Sequence, residues 1–301
     1  MFEVVFLGTS ASIPSTERNQ SGLLVSFGGT RMLVDCGEGT QRQMLRAGVG
    51  LRRPHRILFT HGHFDHVLGL PELLATLGLQ QSHGPIMING SRHTLEIVAG
   101  IIAGFWPSQC PPIALELEPL EKGQRIEVDG FAISCFPVSH RDSDSLAYIF
   151  EVAPRRHLLA ERLQELGVPD GPIRSRLASG MEATLPSGLR IRPDDVLGPP
   201  EGGRKLVVVG DIESTQGIAQ HVRDADMLII EATFLDSDAA IARDYGHLTA
   251  AEGAQLAAQN GVRRLVLTHV SGRYGAGEIF AEASAIFPGA VVAADFDRFS
   301  V

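Results

Sequence analysis

Short apolar runs that end at a polar residue recur along the chain. RILFT leads to His61, FAISCFPVS to His140, KLVVVG to Asp211 and RRLVLT to His269. Each run has the length of a β-strand and is rich in Val, Ile, Leu or Phe. The pattern therefore predicts four strands that each deliver a polar side chain at the strand end.

The segments between these runs predict helices and an α/β fold class. Helical patterns cover residues 40–47, 70–79, 219–223 and 249–260. The last helix has a capping box, Thr249 with Glu252, and Gly261 closes it. PHRILFTHGH and VRRLVLTHVS resemble each other about 208 residues apart, which suggests two related halves.

One segment breaks the alternation of strands and helices. Residues 151–203 are rich in Gly, Pro and Arg, and their only good helix candidate is residues 157–166. Because the runs on both sides belong to the same pattern, we expect a single domain over residues 1–301 with residues 151–203 inserted into it as an arm.

Composition indicates a globular protein with a large core. The chain has 301 residues, is 44% hydrophobic and has a mean hydropathy of +0.08. Its longest apolar stretch, residues 97–106, is far shorter than the ~20 residues that span a bilayer, so we expect no membrane association. The N-terminal run predicts a strand, not a signal peptide. Three scattered cysteines suggest reduced thiols and a cytoplasmic location.

Charge is unevenly distributed along this acidic chain. The net charge is -9, yet residues 41–56 carry five arginines and no acid. Residues 155–192 carry seven arginines against four acids, Glu161, Glu165, Asp170 and Glu182. Basic segments on an acidic protein can bind phosphates. They can equally be solvated faces, and the charge pattern alone leaves both interpretations open.

The stretch THGHFDH predicts a metal site. It places His61, His63, Asp65 and His66 within six residues at a strand end. Gly62 permits a tight loop, which could direct the first two side chains to one point and the last two to a neighbouring point. Imidazole and carboxylate groups suit zinc and similar ions. A lone histidine is more often a hydrogen-bonded core residue, but that alternative does not explain such a cluster.

The other strand ends add three more residues of metal-binding type. His140, Asp211 and His269 come from distant parts of the chain and occupy equivalent positions. Seven ligands suffice for two metal ions that share one carboxylate. Ions ~3.5–4 Å apart can act together on the attacking and leaving oxygens of a displacement.

Several motifs resemble a known family. THGHFDH resembles the metal-binding signature of the metallo-β-lactamase superfamily. Further motifs resemble the ribonuclease Z family of tRNA 3′-processing endonucleases: FLGTSASIP with Arg18-Asn19, DCGEGTQRQ, HVLGLPELL, Gly210-Asp211, EATF, HLTAAEGA and LTHVSGRY. The resemblance runs from residue 2 to about residue 299 with the motif order kept. GVPDGP followed by Ser179-Gly180 is similar to the flexible arm of long-armed bacterial members.

The sequence also departs from the family pattern beside the proposed metal ligands. Where the family usually reads GDT, this chain reads GDIES, and where the family reads HST it reads HLT. Ile212 removes a hydroxyl next to Asp211, and Glu213 places a negative charge where the family often has a positive one. The metal ligands themselves are unchanged.

The resemblance implies a fold and two zinc ions per chain. The fold is a four-layer αββα sandwich in which two β-sheets pack face to face between helices. One zinc ion would be held by His61, His63 and His140. The second zinc ion would be held by Asp65, His66 and His269, with Asp211 bridging the two.

The resemblance also implies catalytic and substrate-binding roles. Asp65 would orient the attacking hydroxide, and His247 would assist the leaving 3′-oxygen, mainly as a proton donor. Glu231 either orients His247 or binds only a neighbouring turn. Ser271 and Arg273 are candidate phosphate contacts, although Arg273 could instead be a structural ion-pair partner.

The function that the resemblance implies is removal of the 3′ trailer from precursor tRNA. The products would be a tRNA with a free 3′-hydroxyl and a trailer with a 5′-phosphate. The partners would be precursor tRNA and a second subunit, because the family forms homodimers in which one arm holds tRNA for the other site. The alternatives are a metallohydrolase of small phosphodiesters or other esters, and a non-catalytic RNA-binding relative. The full ligand set argues against the last, because idle buried ligands would be poorly paired.

Overall fold

The structure is a computed structural model that describes residues 1–81, 84–141 and 143–301. The chain divides into two compact units. The first unit comprises Met1–Phe150 and Lys205–Val301, and the second comprises Glu151–Arg204. Every residue that the sequence singles out as a metal ligand lies in the first unit.

The strands are numbered in chain order. They are β1 (Phe2–Gly8), β2 (Gly22–Phe27), β3 (Thr30–Val34), β4 (Arg56–Leu58), β5 (Ile86–Gly90), β6 (Leu115–Pro119), β7 (Arg125–Val128), β8 (Phe131–His140), β9 (Ser143–Val152), β10 (Ala183–Thr184), β11 (Arg190–Ile191), β12 (Arg204–Val208), β13 (Met227–Glu231), β14 (Leu265–Thr268), β15 (Ala290–Val292) and β16 (Arg298–Ser300).

The helices are also numbered in chain order, and a short 3₁₀ turn spans Asp236–Asp238. They are α1 (Thr40–Arg46), α2 (Phe64–Val67), α3 (Leu70–Leu79), α4 (Arg92–Phe105), α5 (Ala160–Glu165), α6 (Pro172–Ala178), α7 (Pro193–Val196), α8 (Ala219–Val222), α9 (Ala239–Tyr245), α10 (Ala250–Gln259) and α11 (Ala276–Ile286).

Two sheets form the first unit, with seven strands in each over the described residues. The order of the first sheet is β16-β1-β2-β3-β4-β5-β6, and that of the second is β15-β14-β13-β12-β9-β8-β7. Strands β3 to β6 are parallel to one another, as are β12 to β15. Since the carboxyl ends of parallel strands meet at one edge of a sheet, side chains that follow them can converge there.

The two sheets pack face to face, with helices on their outer sides. Between the sheets, the ring of Phe2 lies 5.4 Å from that of Phe131 and 6.1 Å from that of Phe150. Apolar side chains of α1, α3 and α4 share a core with the outer face of the first sheet. Those of α8, α10 and α11 do the same on the second sheet. The predicted four-layer αββα arrangement is confirmed.

The second unit has more regular structure than the sequence indicated. Its predicted single helix corresponds to α5, but the structure adds α6, α7 and the β10–β11 pair. The expectation of one helix was therefore wrong. Helix α6 was missed because it lies in a glycine- and proline-rich stretch. Pro172 stands in its first turn, where proline is tolerated, and Leu177 is fully buried in the small core of this unit.

Cys36, Cys110 and Cys135 are all free thiols. Among the residues that the structure describes, no helix is both long and apolar enough to cross a membrane.

Candidate metal centre

Strand ends from both sheets bring the seven predicted ligands together. His61 and His63 follow β4, and α2 then carries Asp65 and His66. The remaining three come from the second sheet: His140 ends β8, Asp211 follows β12, and His269 follows β14. Side chains of distant sequence position therefore form two neighbouring groups.

The first group consists of His61, His63, His140 and Asp211, with one ligand atom of each within 4.8 Å of the others. The Nε2 atom of His140 lies 3.2 Å from Nδ1 of His63. Oδ2 of Asp211 lies 3.6 Å from Nε2 of His61 and 3.7 Å from Nε2 of His140. Four nitrogen and oxygen atoms thus lie close enough together to hold one metal ion.

The second group consists of Asp65, His66 and His269, within the same 4.8 Å limit. Oδ2 of Asp65 lies 3.5 Å from Nε2 of His66 and 3.6 Å from Nε2 of His269. The same oxygen accepts a hydrogen bond from the backbone amide of Ser12, 3.0 Å away. That contact helps to hold the carboxylate in place.

Asp211 stands between the two groups and faces both. Its Oδ2 atom points to the first group, whereas its Oδ1 atom lies 3.5 Å from Nε2 of His66 and 3.0 Å from Nε2 of His269. The residue is only 3% exposed. This is the geometry that a carboxylate needs in order to bridge two ions.

Several buried polar atoms at this point have no hydrogen-bond partner among the described residues. They are Nε2 of His61, Nε2 of His66, Oδ1 of Asp211, and both ring nitrogens of His269. A buried polar group without a partner costs on the order of 1–3 kcal/mol. Coordination of a cation would satisfy the atoms that face the two groups, so the residues present fit a metal centre.

The electrostatics of the site also favour cations. Burial and the neighbouring His66 lower the pKa of His61 well below its usual value, which leaves a neutral imidazole. Burial would raise the pKa of Asp211, but His269 and His66 outweigh it and hold this pKa well below the usual range. Burial likewise opposes the charge on His66, but the surrounding carboxylates raise its pKa well above normal. A metal ion that replaced this proton would balance the negative charge of the same carboxylates.

Hydrogen bonds behind the histidines hold their rings in place. Nδ1 of His66 lies 2.8 Å from Oδ2 of Asp35, and Nδ1 of His140 lies 2.7 Å from the Gly246 carbonyl oxygen. Thr60 donates to Asp35 through both its amide and its hydroxyl, and the hydroxyl lies 3.1 Å from Nδ1 of His61. These contacts direct Nε2 of each ring towards the site.

Beside the metal groups, Glu231 holds His247. Glu231 is the last residue of β13 and is fully buried. Its Oε1 and Oε2 atoms lie 2.9 and 3.2 Å from Nδ1 of His247. The same carboxylate accepts hydrogen bonds from the backbone amides of Ile212 and Leu248. Glu231 therefore contacts His247 as well as neighbouring backbone, and the alternative that it binds only a turn does not hold.

The structure gives the two unusual residues after Asp211 distinct surroundings. The side chain of Ile212 is fully buried in the apolar core of the second sheet. Oε2 of Glu213 accepts a hydrogen bond from the backbone amide of Arg141, 3.0 Å away. Arg141 directly follows His140 and has a positive φ of 49°. Glu213 therefore stabilises the backbone next to a predicted ligand.

Ser271 and Arg273 lie near His247, as all three line one cavity of about 330 Å³. Among the described residues, no carboxylate forms an ion pair with the Arg273 guanidinium. The alternative of a structural ion pair has no support in these contacts.

Sequence reasoning missed several residues that support the site. Ser12, whose amide binds Asp65, sits in an exposed loop at a φ of 50° and gives no signal by residue type. Thr60 was noted only as the start of the histidine motif. Asp35 entered only as the first residue of the DCGEGTQRQ motif, and its contacts with Thr60 and His66 are evident only from the structure.

Comparisons with known proteins agree with this architecture. A family model described as "Anti-Pycsar protein Apyc1" matches residues 2–156, and one described as "Beta-lactamase superfamily domain" matches residues 168–270. The crystal structure of the short form of human tRNase Z superposes with a TM-score of 0.69 at 23% identity, covering 99% of both chains. At that identity the likeness shows the fold, which is that of the metallo-β-lactamases.

Curated relatives align along the whole chain. A protein from Bradyrhizobium diazoefficiens is 59% identical over 301 residues, which covers 100% of both chains. One from Archaeoglobus fulgidus is 38% identical over 304 residues, covering 100% of this chain and 98% of the relative. Both are named Ribonuclease Z, whereas the Apyc1 match is confined to the N-terminal half. The chain belongs to the ribonuclease Z family, within the metallo-β-lactamase superfamily.

Proposed function

We propose that this chain is a zinc-dependent endoribonuclease that removes the 3′ trailer from precursor tRNA, leaving a 3′-hydroxyl on the tRNA and a 5′-phosphate on the trailer. The observation that carries the proposal is the pair of ligand groups joined by Asp211. It occurs in a chain whose full-length relatives are named Ribonuclease Z.

The proposed cofactor is two zinc ions per chain. One ion would be held by His61, His63 and His140. The other would be held by Asp65, His66 and His269, and Asp211 would bind both ions. The donor set of imidazole nitrogens and carboxylate oxygens supports zinc. When bound, such ions polarise a phosphoryl oxygen and lower the pKa of water.

Two side chains would handle protons during the reaction. Asp65, held by the amide of Ser12, would accept a hydrogen bond from the attacking water and orient it towards phosphorus. Burial would lower the pKa of His247, but Glu231 and the nearby Asp211 and Asp65 raise it to about 9. These carboxylates therefore favour the protonated form of His247. With Nδ1 bound to Glu231, its Nε2 can donate a proton to the leaving 3′-oxygen.

The basic segments would bind the RNA. Arg273 and Ser271, which share a cavity with His247, would contact a phosphate close to the cut. The second unit, Glu151–Arg204, would act as an arm that binds the tRNA body, as the likeness of GVPDGP to the family's arm suggests. The same family likeness supports a homodimer, and three free thiols support a location in the reducing cytoplasm.

Hydrolysis of small phosphodiesters or other esters is the second candidate function. The match to the beta-lactamase superfamily domain keeps it open, because the fold alone does not set the substrate. An enzyme for small esters has no physical need for an arginine-bearing unit of this size, so we favour precursor tRNA.

Incubation with a 3′-extended precursor tRNA tests the proposal. The purified protein should cut at the 3′ end of the tRNA body, and a chelator should abolish the cut. Mapping of the product ends should show a 3′-hydroxyl on the tRNA and a 5′-phosphate on the trailer. Metal-dependent hydrolysis of bis(p-nitrophenyl) phosphate by a preparation that leaves the precursor intact would favour the second candidate.

A further inference from the structure

The cavity next to His247 has apolar walls that the reaction chemistry does not explain. Its volume of about 330 Å³ lies at the lower end of the range for ligand pockets, ~300–1,000 Å³. Besides His247, Ser271 and Arg273, it is lined by Ile13, Phe234 and Tyr245, among others. A phosphate contact would need Arg273 but would not need these apolar side chains.

Tyr245 presents an exposed ring in a fixed position. It is the last residue of α9, which ends at Gly246 with a positive φ of 73°, and it stands two residues before His247. Its ring lies 6.4 Å from that of Phe234 at an interplanar angle of 24°. Tyr245 is 54% exposed, whereas Phe234 is only 6% exposed. Phe234 therefore supports the ring of Tyr245, which remains accessible.

Ile13 is a second exposed apolar side chain on a well-fixed backbone. It is 77% exposed, although its loop is fixed at three points. The hydroxyl of Ser10 donates to the Ile13 carbonyl, 2.7 Å away, and the amide of Ala11 donates to the Val270 carbonyl. The third contact is the bond from the Ser12 amide to Asp65. An apolar side chain held in this way beside a catalytic group is suited to covering a ligand.

The proposed reaction determines which nucleotide lies there. Water attacks phosphorus and forms a new P–O bond, the proton that it releases passes to solvent, and the bond from phosphorus to the 3′-oxygen breaks. The proton from His247 goes to that 3′-oxygen, and the phosphate remains on the trailer. The leaving oxygen belongs to the last nucleotide retained in the tRNA, so that nucleotide must lie next to His247 and its cavity.

We infer that this cavity binds the last retained nucleotide, with its base stacked on Tyr245 and covered by Ile13, and with Arg273 on the phosphate at its 5′ side. This inference rests on the proposed function. Stacking on an aromatic ring tolerates any base, so the subsite would position the scissile bond in tRNAs that differ at this position.

A comparison of Tyr245 variants with abasic substrates tests the inference. On normal precursor tRNA, Tyr245→Ala should lower kcat/KM about ten- to a hundredfold, whereas Tyr245→Phe should keep it within about threefold because the ring remains. An abasic site at the last retained position should slow the wild type to a similar degree. The abasic substrate should slow Tyr245→Ala little further, since the two changes remove the same contact.

An abasic site at the first trailer position provides the control. It should lower the rates of the wild type and of Tyr245→Ala by the same factor. Coupling of Tyr245→Ala to this position and not to the last retained one would overturn the assignment. Ile13→Ala should show the same coupling as Tyr245→Ala with unchanged metal content, which separates a lost contact from misfolding.

The outcomes also separate this inference from the proposed function. If the wild type cuts precursor tRNA and Tyr245→Ala cuts it equally well, only the stacking subsite is overturned. A wild type that leaves every precursor intact would overturn the proposed function, and the subsite with it.

Discussion

Asp211 turns one oxygen to each of two groups of histidines, and it is the residue on which the two-metal arrangement depends. Replacing it with alanine removes a ligand from both groups at once, and two bound ions would then repel each other without a shared carboxylate between them. Asp211→Ala should therefore retain at most one metal ion per chain and lose nearly all activity. Elemental analysis of the purified variant measures its metal content, and cleavage of precursor tRNA measures its activity.

The control for this change is Asp129→Asn, at an exposed position after β7, which should keep the wild-type metal content and rate. Two ions per chain together with substantial turnover in Asp211→Ala would contradict the bridging role.

His247 lies beside the metal groups but is not among their proposed ligands. His247→Ala should therefore keep the wild-type metal content while the single-turnover rate falls by roughly 10²–10⁴, the range expected for a lost general acid. Binding of precursor tRNA should persist. His93→Ala, at an exposed site, is the matched control. A loss of metal in parallel with the rate would show that His247 is a ligand or a determinant of the fold.

The carboxylate of Glu231 makes the action of His247 dependent on pH. His247 must be protonated to act as an acid, and its pKa is raised to about 9, so activity should fall as pH rises through this value. Glu231→Gln removes the negative charge that raises the pKa. The alkaline limb of the kcat profile should then move to lower pH. If the alkaline limb of the variant stays at the wild-type pH, a group other than His247 determines its position.

Single residues differ in how far the sequence alone reveals them. The seven candidate ligands could be proposed because His and Asp have metal-binding chemistry and stand at strand ends in a known motif. Ser12 and Tyr245 could not, because a backbone amide donor and an exposed ring carry no such chemical signal. Their positions depend on loop geometry that forms only in the folded chain.

At the scale of elements, the sequence predicted best where local and tertiary signals agree. Helix α10 begins after Thr249, whose capping box with Glu252 is present. The two similar runs became β4 and β14, and each lies parallel to both of its neighbours. Strand β4 ends at Leu58 rather than at Thr60, because Thr60 bonds to the Asp35 side chain instead of continuing the ladder.

Charge in the second unit is more balanced than residues 155–192 suggested. Over Glu151–Arg204 there are eight arginines and eight acidic residues, because Glu151, Asp194, Asp195 and Glu201 flank the arginine-rich stretch. At one place two arginines share a single carboxylate. Arg190 and Arg192 both face Glu182, at 3.0 and 4.0 Å, whereas Arg162 has Glu165 at 2.6 Å.

This shared carboxylate predicts which arginines bind tRNA. Arg190→Gln with Arg192→Gln should weaken precursor tRNA binding and lower the slope of log Kd against log salt by about one to two, since each phosphate contact contributes about one. Hydrolysis of bis(p-nitrophenyl) phosphate should be unchanged. The matched control, Arg162→Gln with Glu165→Gln, removes a neutral pair and should leave the slope as it was. Equal losses on both substrates would show that the unit supports the fold instead.

At the scale of the whole first unit, each metal group combines ligands from both sheets. His61, His63, Asp65 and His66 follow β4 of the first sheet, whereas His140, Asp211 and His269 follow strands of the second. The sequence could predict both the two-sheet sandwich and the convergence of the ligands, because the apolar runs and the order of the motifs indicate them. It could not show which atoms would be left without partners.

Those buried atoms make stability depend on metal. Ions that bind only the folded chain stabilise it by about 2.7 kcal/mol when present at a hundred times Kd. Removal of the metal should therefore lower the melting temperature by several degrees, given about 2–4 °C per kcal/mol for domains of 150–250 residues.

Scanning calorimetry of the protein before and after dialysis against a chelator measures this difference, and added zinc should restore the original melting temperature. Asp211→Ala isolates the contribution of the bridge. Because that variant lacks the carboxylate that both groups share, it should melt close to the metal-free wild type and respond little to chelator or to zinc. If the wild type melts at the same temperature with and without metal, the ions do not stabilise the junction of the two sheets. The buried atoms without partners would then not destabilise the metal-free protein.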